Sequence, residues 1–130
     1  MTYVGKVTRV VFVPKALPAL DVSRPVRCAP LAAGVMSEQA ALHVALRMRA
    51  LSEPVRVRLL SLVLASGEAG ACTCDLAPAL GVSEGTASHH LGKLRDAGFV
   101  EGTRKGMNVY YRALPLSLAA LCRVIDPECC

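Results

Sequence analysis

The stretch from Ser83 to Val100, SEGTASHHLGKLRDAGFV, constrains the fold of this chain more than any other. It reads as one short amphipathic helix with a clear start and a clear stop. Ser83 is a good N-cap, because its hydroxyl can accept an orphan N–H of the first turn. Ala87, Leu91 and Leu94 recur at helical spacing and form a narrow apolar stripe. Gly98 stands where a glycine lets the chain leave a helix through a left-handed conformation. The opposite face, Glu84, Gly85, Thr86, Ser88, His89 and Lys93, is small and polar. A helix with such a face fits a DNA major groove.

The flanking segments extend this reading. Asp75 to Leu80 is a second short apolar-periodic stretch, within a first helix read from Cys72 to Leu80, and Gly81-Val82 links it tightly to Ser83. Two short helices joined by a turn containing glycine form a helix-turn-helix. Phe99 to Ala113 then predicts a two-stranded hairpin with a glycine turn at Lys105-Gly106 and basic residues at its tip. The fold class is therefore mainly α with a β-hairpin wing, a winged helix-turn-helix.

At 130 residues the chain is one domain with appended ends, and a domain of this size is helped by dimerisation. Residues 1–36 read as a flexible arm. Pro14, Pro18, Pro25 and Pro30 interrupt any long element, although Val7 to Val13 could form a short strand. Residues 37–114 form the winged helix-turn-helix domain. It opens with a helix capped by Ser37, and a second helix starts at Pro54. Residues 115–130 read as a dimerisation helix, Pro115 to about Ile125, with a cysteine-rich tail. Met36 is an alternative start that would discard Cys28. No apolar run is long enough for a membrane span, and Lys6 and Arg9 interrupt the apolar start, so neither a span nor a signal peptide is expected. The net charge of +5 suits a polyanionic partner without specifying one. Between Ser83 and Arg112 the basic excess is small, so the motif is the stronger indication.

Six cysteines in a chain with a nucleic-acid motif point to a reducing cytoplasm, where thiols bind metal or do redox work more often than they form structural disulfides. Cys72 and Cys74 fall at the start of the first helix of the pair. On a regular helix their side chains would diverge by about 200°. They can share an ion only if the first turn deforms, and there the helix dipole favours the thiolate. Binding should then compete with helix geometry beneath the reading helix. A thiophilic ion takes three or four ligands. Cys28 is one candidate for the third, from the same subunit or a partner. Cys129 and Cys130 are others, while Cys122 fits an apolar helix as a small core residue.

His89 and His90 point about 100° apart and cannot easily chelate together. One is expected to face nucleic acid and the other to pack on a neighbouring helix; His43 suits a surface or interface. Nothing supports enzyme chemistry: the sequence has no phosphate loop, no usefully spaced carboxylate pair and no nucleophile with an evident base.

Three blocks, Ala50 to Leu60, Cys72-Thr73-Cys74-Asp75-Leu76, and Ser83 to Gly98 around Ser88-His89-His90-Leu91, occur in an order that resembles the ArsR/SmtB family of metal-responsive repressors. The likeness spans roughly Ser37 to Ala113. It implies a cytoplasmic homodimer on a palindromic double-stranded DNA operator, released when an ion binds. Cys72 and Cys74 match the family's inducer-binding pair, and Cys28 fits the upstream cysteine of some members. The family's Asp and His site on the last helix has no counterpart between Pro115 and Ile125. The expected inducer is As(III) on Cys28, Cys72 and Cys74, with Sb(III) sharing its geometry. Cd(II) or Pb(II) would need a further ligand. A thiol redox sensor on the same fold is the alternative, and a constitutive DNA-binding module with incidental cysteines is a third reading. Ser83, Thr86, Ser88 and His89 are the candidate base or phosphate contacts. Lys93, Arg104 and Lys105 should hold backbone phosphates.

Overall fold

A computed structural model describes residues 20–128 of the chain. The candidate strand at Val7 to Val13 and the candidate ligands Cys129 and Cys130 lie outside these residues.

Helix α1 (Glu38–Ala50) begins where Ser37 accepts a hydrogen bond from the Ala40 N–H at 3.2 Å. Helix α2 (Pro54–Ala65) follows after a short turn. Its proline takes the first turn, where a missing N–H leaves nothing unpaired, and the Glu53 carboxylate caps it by accepting from the Arg56 N–H. Strand β1 (Ala71–Cys72) leads into helix α3 (Thr73–Leu80), which ends at Gly81 with φ +67°. Helix α4 (Glu84–Asp96) is capped by Ser83, which accepts from the Thr86 N–H at 3.1 Å. At its other end the Gly98 N–H bonds Arg95 O at 2.9 Å and the Phe99 N–H bonds Leu94 O at 3.0 Å. That paired closure, with Gly98 at φ +78°, is the Schellman stop that glycine permits.

Strands β2 (Val100–Lys105) and β3 (Asn108–Ala113) form the antiparallel wing, in register from Val100↔Ala113 to Lys105↔Asn108. Gly106, at φ +65°, opens the two-residue turn Gly106-Met107. A positive φ at that position matches the twist of the flanking strands. Helix α5 (Pro115–Ile125) closes the described chain.

The hairpin wing expected from the sequence is present, and a third strand extends it: β1 pairs with β3 (Ala71↔Tyr111, Cys72↔Tyr110), giving a sheet in the order β1-β3-β2. Cys72 therefore stands outside α3, in extended backbone at φ −84° and ψ 158°, because its residue pairs with the wing rather than joining the helix.

The apolar stripe of α4 is fully buried: Ala87, Leu91 and Leu94 have no exposed surface. Leu91 and Leu94 join Leu59 and Val63 of α2, Leu76 of α3, Phe99, and Leu121 and Val124 of α5 in one continuous core. α4 rests directly on both α2 and α3, so a change in either support reaches it by packing alone.

The described part of the arm corrects a second expectation. Val22 and Val26, expected in a poorly packed stretch, are only 7 % and 8 % exposed and belong to the core. The segment lies as a strap across the end of α4. The buried Arg47 guanidinium of α1 donates to Arg24 O at 2.6 Å and to His43 O at 2.7 Å, which ties the strap to α1. Burial lowers the Arg47 pKa from its ordinary value, and the nearby Cys28 and Asp21 oppose that shift. Prolines prevent regular structure here, but two valines four positions apart still find apolar cover.

Candidate functional site

The polar face of α4 is presented to solvent. Thr86, Ser88, His89 and Lys93 are all exposed. Ser83 is exposed too, but its hydroxyl is engaged as the cap: it accepts from the Thr86 N–H and donates to Thr86 Oγ1 at 2.9 Å. Thr86 keeps its own hydroxyl proton to offer outward. On the wing, Arg112 is occupied by Glu101 and, at 3.7 Å, by Glu68. The basic groups left projecting from the tip are Arg104 and Lys105, and Lys105 Nζ lies 5.2 Å from the Tyr110 ring centroid. That cation–π contact keeps the ammonium near the strand instead of letting it swing freely.

The two histidines separate as their helical angle requires. His89 is exposed, whereas His90 turns inward toward α2, with Nε2 3.8 Å from the Glu53 carboxylate.

The thiol centre is at the junction of β1 and α3. Cys72 is buried at the N-cap and Cys74 lies in the first turn, with Cα atoms 5.2 Å apart and a disulfide between their sulfurs. The divergence expected on a regular helix does not apply, because Cys72 is still in the strand. Cys72 Sγ also lies 3.5 Å from Asp75 Oδ2. The ligand atoms of Cys72, Cys74 and Asp75 all fall within 4.8 Å of one another, and among the described residues no other such group of three His, Cys, Asp or Glu side chains occurs. Reading the sequence missed Asp75, although its adjacency to Cys74 in the first turn was a usable signal.

Cys28 is not part of that group. It is a free thiol in a cleft between the strap and α1, beside Arg24, His43 and Arg47, with Sγ 3.9 Å from Ala40 O. Cys122 lies on α5 and is disulfide-bonded. The donor set at β1–α3 thus offers two sulfurs and a carboxylate. It suits a thiophilic ion once the sulfurs are reduced, and a third sulfur has to come from outside the group. Within α3, Pro78 lacks the N–H that would bond Cys74 O, so deforming the first turn breaks one hydrogen bond fewer.

No described helix is long and apolar enough to cross a membrane. Residues 53–102, from the cap of α2 through the start of the wing, match the family described as "Bacterial regulatory protein, arsR family". The chain is 47 % identical over 77 residues to the transcriptional repressor SmtB homolog of Synechocystis sp., covering 59 % of this chain and 56 % of that protein. It is 40 % identical over 67 residues to the arsenic resistance transcriptional regulator ArsR1 of Pseudomonas putida, covering 52 % and 51 %. The chain thus spans little more than half the length of these two relatives. The solution structure of a homodimeric winged helix-turn-helix DNA-binding domain from Mycobacterium bovis superposes with a TM-score of 0.56 at 33 % identity, covering 71 % of this chain and 85 % of that one. The chain belongs to the ArsR family of bacterial regulatory proteins.

Proposed function

We propose that this protein is a homodimeric, cytoplasmic transcriptional repressor of a metal(loid)-resistance operon. It binds a palindromic operator through α4 and the wing and leaves it when As(III) or Sb(III) is taken up by cysteine thiolates. One observation carries the reading: two sulfurs and a carboxylate converge at the start of a helix that directly supports the exposed polar face of α4. The ArsR1 relative supports arsenic as the inducer. Cys72 and Cys74 supply two thiolates. Cys28 of a second subunit, or a cysteine beyond residue 128, supplies the third, since Cys28 of the same subunit occupies a different cleft. Cd(II) or Pb(II) would draw on Asp75 or a further thiolate as an additional ligand.

On DNA, Thr86, Ser88 and His89 face base edges or phosphates, and Lys93, Arg104 and Lys105 hold the backbone. Two copies of α4 would enter successive major grooves at half-sites about 34 Å apart.

The Cys72–Cys74 disulfide supports a second reading, a thiol redox sensor. Two thiols would give up two electrons and two protons to an oxidant such as a peroxide, which is reduced to water. One titration separates the two. Reduced protein on a fluorescent duplex is treated with arsenite in one arm and with hydrogen peroxide in the other. The inducer reading predicts release by arsenite under fully reducing conditions. Release by peroxide alone favours the redox sensor, and release by neither overturns both.

A further inference from the structure

His90 is the histidine of α4 that turns inward toward α2. Its side chain is only 15 % exposed, its Nδ1 is buried with no hydrogen-bond partner, and its Nε2 lies 3.8 Å from Glu53 Oε2. That separation is too long for a hydrogen bond and leaves the ring packed at van der Waals distance against the carboxylate. Glu53 is itself fixed, because the same oxygen accepts the Arg56 N–H at 3.1 Å and the N-terminal charge of α2 favours a carboxylate there. On its other side His90 meets His89 edge-on, with ring centroids 5.5 Å apart and planes at 63°. His89 is the exposed member of the pair, on the face that α4 offers to a groove.

We infer that Glu53 is a positioning residue for DNA reading. It holds the His90 ring, and the His90 ring sets the direction in which the His89 ring meets a base. The inference rests on the DNA-binding reading above and adds a specificity element that lies outside α4. A histidine on a helix surface can change its χ1 well and has a broad χ2. An edge-on neighbour anchored to a second helix removes part of that freedom before DNA arrives, so the selected sequence is read by a ring already aimed. Glu53 touches no DNA in this arrangement and acts only through the two rings.

The test uses the full-length protein, a duplex it selects from a randomised pool, and an unselected duplex of equal length. Glu53→Ser keeps a residue able to cap α2 but cannot reach His90. It is expected to weaken binding to the selected duplex about tenfold, the size of one base contact, and to leave the unselected duplex unaffected. In a His89→Ala background the same substitution is expected to have no further effect. His90→Gln, which breaks the chain of contacts at its middle, is expected to reproduce the loss and its disappearance in His89→Ala.

Equal loss on both duplexes would mean that Glu53 is only structural, and overturns the inference. So does an undiminished effect of Glu53→Ser in the His89→Ala background, or selected-duplex binding as tight as wild type. A wild-type chain that selects no duplex overturns the DNA reading itself, and the inference with it.

Discussion

Gly98→Ala probes how the strap and the end of α4 hold each other. Gly98 sits at φ +78°, and a Cβ built there would lie 2.4 Å from Ser23 O, 2.7 Å from Ser23 C and 3.0 Å from Ser23 Cα. All three are backbone atoms, so no side chain can swing aside. Gly81, at the end of α3, is the control: its φ is +67°, and an added Cβ would meet nothing within 4 Å. Gly81→Ala therefore reports the left-handed backbone alone, about 1 kcal/mol. Gly98→Ala carries the same penalty and must also push the strap away. The strap is held by Val22 and Val26, each worth roughly 1.5–3 kcal/mol when fully buried. Losing part of that burial should add on the order of 1–3 kcal/mol, for a total of about 2–4 kcal/mol. Urea unfolding of both variants gives the free energies, and the rate at which the Cys28 thiol is alkylated reports the strap. The expected result is a greater loss for Gly98→Ala than for Gly81→Ala, with faster alkylation of Cys28 in Gly98→Ala alone. Equal losses, with the Cys28 rate unchanged, would refute the packing argument.

Three further outcomes follow from the same geometry. Cys72→Ser, which removes one of the two sulfurs at β1–α3, should keep duplex affinity near wild type while abolishing release by arsenite in a fluorescence-anisotropy titration. Lys105→Ala should lower affinity for all duplexes and reduce the slope of log K against log salt by about 0.9 for each phosphate that the side chain neutralises; an unchanged slope would remove the wing tip from the interface. Arg47→Met keeps the buried stem but strips the donor from Arg24 O, and should destabilise the fold by about 1–3 kcal/mol in denaturant. An unchanged midpoint would show that the strap does not depend on that bond.

Much of the helix-turn-helix was legible in the order of residues alone. The Ser83 cap, the stripe Ala87, Leu91 and Leu94 and the stop at Gly98 are local signals, set by residues within one or two turns of each other. Long-range pairings were not legible. Strand β1 has only two residues, too few to show a period, and its pairing with Tyr110 and Tyr111 places Cys72 in the strand rather than in α3. The strap hid behind its prolines, because burial of Val22 and Val26 depends on side chains distant in the sequence. Helical angles alone separated His89 from His90, but nothing in the spacing identified Glu53 as the group beneath them. Cys28 was expected to reach the Cys72–Cys74 pair from its own subunit or from a partner; the strap seats it against α1, apart from the pair of its own subunit.

The central claim is that occupancy of the sulfurs at the start of α3 loosens the hold of α4 on its operator. Counting bound arsenic and bound duplex in a single titration of the reduced wild-type protein tests it most directly. Duplex is predicted to dissociate in step with arsenic uptake, up to one ion per subunit. Full uptake with the duplex still held at its original affinity would contradict the claim.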